Sequence, residues 1–532
     1  MADSLTHTEV KVRRRSGHDK SFKNILTSMV GTITPLAYKL LIPNSDFELK
    51  LPISAALPPL ASDTFMRCAL KVEAFAVPMR LCYGGVESWL TGEKIYSPNG
   101  SGGYSEARAK LPIFQVSPSD LSTIAAPGSL LDYLGIRGPV YDAVPTPEPL
   151  DLNIFPLLSY HRIYDDWYRN RKVQKPLFGR PSQIGGVSES LVLPCELPYV
   201  AYASRIAFRK GDQFINGSKL YELHQRNYGS DYFTEAFPTA TFGNEQKVTI
   251  DSSSQFTIGA LRMANAMESF ELKNNIASPQ LQDYCLVHYG AHLSSGVAQR
   301  SIFLGSASYD VYSKGIAAQS TTTPTNNPFG SVGARYGNAF AVGTDFVCKG
   351  HVDEPCYLMV LATLVPEANY STGLKHDLMI FTQDGDITDL PNPDFELVGN
   401  EPIYSVELGA TGAVADYHEE VFGWQKRYQW HKSSLNEVHG LLVEGQSLSS
   451  FVAQRSLFAS VLGNDFLQIS KDDLDNVTAV TGDLSLYGVW IDAFVNLKVV
   501  EPLGESSLPS LVDPALEHGD SVYVRNNGSR IS

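Results

Sequence analysis

A chain of 532 residues with 43% hydrophobic and 19% charged residues has the make-up of a folded protein with a large core, not of a fibrous or disordered one. Six scattered cysteines (Cys68, Cys82, Cys195, Cys285, Cys348, Cys356) form no CxxC pair, so no zinc-ligand set can be drawn from them, and their spacing favours mostly buried free thiols made in a reducing cytoplasm over a disulfide scaffold. The net charge of −15 is uneven: residues 1–24 hold six bases against three acids, an excess of +3 that leaves −18 for the rest.

In chain order, Met1–His7 shows no apolar core behind a basic start, so no signal peptide is expected. Lys11, Arg13, Arg14, Arg15, Lys20 and Lys23 then make a basic N-terminal arm over residues 1–24. A basic arm on an acidic body suits nucleic-acid contact by the arm alone; a solvated terminus touching nothing is the plainer alternative. Leu70 and Val72 alternate with Lys71 and Glu73, the period of a half-buried strand that runs on to Pro78. Residues 96–104 read as a flexible loop, and Pro145, Pro147 and Pro149 as a stiff connector.

Pro156 suits the first turn of a helix, after which Leu157, Tyr160, Tyr164 and Trp167 recur at helical spacing. Arg162–Asp166 and Asp165–Arg169 are charge pairs one turn apart on its other side. A second helical region starts near Thr257, with Ala260, Met263, Met267 and Phe270 on one stripe, restarts at Ser278-Pro279 and stops at Gly290. The Gly, Ser, Thr and Asn of residues 300–345 read as a long surface loop. Cys356 to Val365, the longest apolar run, reads as a strand buried on both faces; it is too short for the roughly 18–20 residues of a membrane span. Val495, Leu497 and Val499 alternate with Asn496 and Lys498 in a last strand closed by Pro502. Many strands with a few helices in long connections point to a β-sandwich with elaborated loops.

No catalytic constellation is complete. His288 and His292 have HxxxH spacing but lack the following glutamate, and Gly290 lies between them, so His288 reads as a core histidine. Gly211–Lys219 misses phosphate-loop spacing and reads as a turn; Gly445–Ser449 lacks the second glycine of a nucleophile elbow. Asp384–Asp389 and Asp472–Asn476 are acidic turns that do not match a calcium loop. No metal or cofactor is expected.

Several blocks together resemble the major capsid protein of the Microviridae, the small tailless single-stranded-DNA phages, on the gokushovirus-like side. They are Phe75–Leu81 with Trp89–Gly92, Tyr160–Asn170, Asp231-Tyr-Phe-Thr-Glu-Ala-Phe-Pro238, Phe256–Arg262 with His288–Gly290, Val421–Tyr428, and the run from Asn476 through Lys498 and Pro502 to Asp513. In two places the chain departs from the family. Only Gly243–Gln255 stands where gokushoviruses insert their threefold protrusion, and Glu501 stands where the family tends to carry arginine.

The resemblance implies a mainly β fold: an eight-stranded viral jelly-roll β-sandwich with long loop insertions containing a few α-helices. Residues 25–532 would then be one domain, with helices near 156–170 and 257–289 and flexible loops near 96–104 and 300–345. It further implies a T=1 icosahedral shell of sixty copies built from pentamers and found in the virion after synthesis in a bacterial cytoplasm. The implied partners are a circular single-stranded DNA genome, pilot, scaffolding and small DNA-binding phage proteins, and a host surface receptor. Of these contacts the arm's bases Lys11, Arg13, Arg14, Arg15, Lys20 and Lys23 are the candidates for nucleic acid. The rival readings are a secreted-type β-sandwich enzyme acting on glycans through a carboxylate pair, and a carbohydrate-binding module.

Overall fold

The computed structural model describes residues 15–503, with interruptions of which the longest are 137–148, 179–202, 240–261, 318–334, 410–419 and 479–487. The larger of two main sheets contains β1 (Ser16–Asp19), β2 (Phe22–Ser28), β4 (Ser45–Lys50), β5 (Ile53–Ala56), β13 (Tyr312–Ala317), β14 (Arg335–Gly343), β15 (Val347–Val352) and β21 (Val489–Glu501). Its order is β13-β14-β5-β21-β4-β15, and β1 and β2 also pair with β21. The smaller runs β12 (Ile302–Asp310), β6 (Cys68–Pro78), β16 (Cys356–Pro366), β3 (Thr34–Leu41).

One core lies between these sheets. Along β21, Val489, Ile491, Ala493, Val495, Leu497 and Val499 are all buried there, while the alternate residues turn outward. This is the period-2 pattern of a sheet with one wet face. In β16 both phases are buried: Leu358, Val360, Ala362 and Leu364 face the first core, and Tyr357, Met359 and Leu361 face a second one. A continuous apolar run is what such a doubly covered strand requires.

The second core is closed by the helix Phe155–Ile163, which carries Pro156 in its first turn, and by a three-stranded sheet of β9 (Ile113–Val116), β10 (Leu150–Asn153) and β11 (Ala207–Arg209). Tyr160 is fully buried; its hydroxyl donates to the Ile33 carbonyl at 2.8 Å and accepts from the His224 backbone N–H at 2.9 Å. The expected ion pairs form, Arg162–Asp166 at 3.0 Å and Arg169–Asp165 at 2.7 Å, the helix widening into a single π turn over Tyr164–Tyr168. A third, smaller core gathers Tyr232, Phe233 and Ala236 against Ile403 and Phe422 of the hairpin β19 (Asn400–Tyr404) and β20 (Val421–Lys426). Two further hairpins, β7 (Lys94–Pro98) with β8 (Tyr104–Arg108) and β17 (Gln383–Asp384) with β18 (Ile387–Thr388), complete the strands.

Four expectations change. The loop over 300–345 is largely sheet, since β12, β13 and β14 occupy most of it and 318–334 lie outside the described residues. Two of its glycines, Gly337 and Gly343, serve close approach. A Cβ on Gly343 would stand 2.3 Å from the Tyr309 ring, and one on Gly337 would stand 2.6 Å from the Ser62 carbonyl. Of the loop expected over 96–104, residues 96–98 and 104 belong to the paired strands β7 and β8, and 99–102 lie outside the described residues. The arm expected over 1–24 ends earlier, because β1 and β2 already pair with β21. Finally, His288 is not a core residue: the helix Leu281–Tyr289 buries none of its side chains, although it ends where expected at Gly290, whose φ of +65° suits a left-handed stop. Ala260, Met267, Ser278 and Pro279 lie outside the described residues.

Candidate functional site

Of the six candidate bases, Lys11, Arg13 and Arg14 lie outside the described residues, and the other three have acidic partners. Arg15 pairs with Asp46 of β4 and donates to the Val500 carbonyl at 3.2 Å. A hydrogen bond from His351, joined by Arg15, holds the Asp46 carboxyl below the usual carboxylate range. Lys20 reaches Glu501 at 2.6 Å, and Glu501 is 2% exposed. Glu501 thus closes an ion pair between the start and the end of the described chain. Lys23 meets Asp492 across the β2–β21 ladder at 2.9 Å, with both side chains about half exposed. Arg15 and Lys20 therefore fasten the first strands, whereas Lys23 remains on the wet face of the sheet.

An open cleft of about 400 Å³ lies beside the third core, lined among others by Tyr232, Tyr370, His376, Glu407, Trp430 and Glu437. His376 stands 2.8 Å from Glu401 and 3.3 Å from Glu407 and stacks on Trp430 with ring centroids 5.0 Å apart. Burial opposes its charged form, but the two carboxylates prevail and push its pKa up to about 9. Glu437 bonds Lys375 at 2.7 Å and His439 at 3.0 Å. The Lys375 bond keeps the Glu437 carboxyl below its ordinary value, the reverse of what a general acid for glycoside cleavage needs. Glu401, Glu407 and Glu437 are thus each held by a cation.

The other constellations resolve as structural. Asp473, in the second acidic turn, is buried and accepts from the Tyr228 hydroxyl at 2.6 Å and the Ser470 N–H at 2.7 Å, so it fastens core. Phe214 N–H bonds the Ser218 carbonyl at 2.8 Å, making the Gly211–Lys219 segment the turn it resembled. His288 packs against Tyr284 and Phe270, while His292 lies beyond the helix end. Among the described residues no group of three or more His, Cys, Asp or Glu is placed to hold a metal, and Cys68, Cys82, Cys285, Cys348 and Cys356 are free thiols.

What the molecule presents instead is exposed apolar surface. On the helix Leu281–Tyr289, Leu281 is 60% and Tyr289 73% exposed. On the outer face of the large sheet, Ile25, Tyr312, Phe340, Val342, Trp490 and Phe494 all stand out. Singly such residues are ordinary; grouped on one face they mark contact surfaces. The sequence held a signal for the second group, since Trp490 and Phe494 occupy the outward phase of the β21 alternation alongside Asp492, Asn496 and Lys498.

A two-sheet β-protein with closed cores, committed carboxylates and apolar outer faces is a structural protein made for contact. Its sequence matches the family described as capsid protein (F protein) over residues 7–254 and 241–511, and the chain belongs to that family. Relatives named capsid protein VP1 come from Chlamydia phage 1 (25% identical over 276 residues, 50% of this chain and 44% of the relative) and Spiroplasma virus 4 (21% over 265 residues, 49% and 47%). A third comes from Bdellovibrio phage phiMH2K (21% over 481 residues, 80% and 82%). The match thus spans just under half the length of the first two relatives. All three sources are Microviridae, the lineage that the sequence blocks resemble.

Proposed function

We propose that this chain is a major capsid protein, sixty copies of which close into a T=1 shell around a circular single-stranded DNA genome. The observation that carries the reading is the helix Leu281–Tyr289, which buries no side chain in its own molecule while exposing Leu281, Leu286 and Tyr289. A helix of this composition gains its stability by covering an apolar face, and a neighbouring subunit supplies the cover. Obligate interfaces of this kind bury on the order of 2,000 Å² or more per pair. Closed symmetry lets one such surface satisfy every copy.

In this reading eight of the twelve strands in the two main sheets are those of a jelly roll, and residues from Ser16 onward form a single domain behind a shortened basic arm. Antiparallel pairing in every contact of both main sheets supports it. Pilot, scaffolding and small DNA-binding proteins and a host receptor are the further partners such a shell would meet. Sedimentation tests the central step. Leu286→Asp with Tyr289→Asp should leave soluble, folded subunits that no longer form fast-sedimenting particles, and undiminished particle formation would refute the helix as a subunit contact.

A further inference from the structure

The strand registers place three outward aromatic residues of the large sheet in one line. Tyr312 pairs with Phe340, Phe340 with Ala56, Ala56 with Trp490 and Trp490 with Thr27, a row crossing five strands from β13 to β2. Tyr312 is 62%, Phe340 44% and Trp490 48% exposed. In the adjoining row Val342 pairs with Ser54, Ser54 with Asp492 and Asp492 with Ile25. The small residues Ser54 and Ala56 of β5 therefore form the floor between two strands that carry rings. With neighbouring strands about 4.8 Å apart, Phe340 and Trp490 stand roughly 10 Å from one another. That is too far for the rings to pack together, and wide enough to admit a flat group between them.

Cations lie along this face beside acids. Lys23 pairs in register with Phe494, the exposed Lys314 lies two residues from Tyr312 on the same face of β13, and Lys498 continues the outward phase of β21 farther along, between Asp19 of β1 and Glu48 of β4. Asp492 holds Lys23 at 2.9 Å, but both are about half exposed. An exposed pair of this kind is worth little, so a phosphate can take the lysine over. The bases Lys11, Arg13 and Arg14 precede β1, which pairs with β21 in this same sheet.

We propose that this face is a binding platform for single-stranded DNA, with bases stacking on Trp490, Phe340 and Tyr312 and the backbone following Lys23, Lys314 and Lys498. The proposal deepens the capsid reading and rests on it, since it makes this the genome-facing side of the subunit. Separated rings on a flat sheet, interleaved with lysines, are what sequence-tolerant binding of a single strand requires. A second copy of the chain would cover the rings but has no use for cations beside them.

The test is the affinity of the full-length chain for a fluorescein-labelled thirty-nucleotide oligo(dT), read by anisotropy over a salt series. Trp490→Ala and Phe340→Ala, both surface changes checked by circular dichroism, should each weaken binding by roughly tenfold with the salt slope unchanged. Lys23→Ala should weaken it and lower the slope by about one. Ultraviolet cross-linking of DNA-filled particles should yield adducts within 489–501 or 335–343. Wild-type affinity in both ring variants, or no oligonucleotide binding by the wild type, overturns the proposal. Ring variants that keep affinity but no longer form particles would make this face an interface between copies. A wild type that binds the oligonucleotide and never forms particles would defeat the capsid reading while leaving the platform standing.

Discussion

Two buried histidine arrangements set opposite limits on the pH range of the subunit. His161 Nδ1 and His224 Nε2 lie 2.8 Å apart in the second core, and His161 Nε2 is 2.7 Å from the Leu220 carbonyl. Burial pushes His161 down to about 4 and His224 well below its ordinary value, so both are neutral in the folded chain. The unfolded chain takes up protons first as pH falls below about 6.5, so stability declines from there toward pH 4. His376 has the opposite sign. Its pKa is raised to about 9, so the stability it gains from Glu401 and Glu407 is complete below about 6.5 and lost as pH rises through 9. Lys375, Asp377 and Trp430 stand beside it, and none of them replaces those carboxylates. Urea titrations of unassembled subunits should show a maximum near neutrality. His376→Asn should cost about 2–3 kcal/mol at pH 7 and abolish the alkaline limb; an unaltered alkaline limb would remove His376 from the account.

The basic arm divides at the same scale. Arg13→Ala with Arg14→Ala should give particles with a lower ratio of absorbance at 260 to 280 nm, because those two bases precede the folded strands. Arg15→Ala should instead act through the lost tie to Asp46 and Val500. Equal DNA content in the double variant would deny the arm its role.

Among elements, the ends of the described chain meet in one sheet: β1 and β2 both pair with β21, and Lys20 closes on the buried Glu501. Lys20→Met leaves a buried carboxylate without its cation and should cost about 3 kcal/mol in thermal or urea unfolding, most of it recovered by adding Glu501→Gln. A neutral Lys20→Met would show that the pair is idle. The same strands show what sequence reading could reach. β16 and β21 were legible, because a doubly buried strand must be apolar throughout and a half-buried one must alternate. The helix Phe155–Ile163 was legible from its aromatic spacing and its proline. β12 to β14 were not, because glycine and serine look like loop until the partners that crowd them, Tyr309 and the Ser62 carbonyl, are seen. The helix Leu281–Tyr289 was legible as a helix but not as an exposed one, since its stripe would look the same against a core or against a neighbour. Nor could spacing reveal that Arg15, Lys20 and Lys23 have carboxylate partners 31 to 481 residues along the chain.

For the whole molecule, the account requires that apolar residues left outside the three cores be covered by other molecules. The helix Leu281–Tyr289 is assigned to neighbouring subunits and the aromatic sheet face to the genome, while the cleft at His376 does neither. The most direct test is the mass of the wild-type assembly, by mass photometry with negative-stain images of the same sample. Uniform closed particles of about 3.5 MDa, the mass of sixty 58.3 kDa chains, are the expected result. A single species at 58 kDa across all concentrations and salts, with no pentamer or shell, would contradict it.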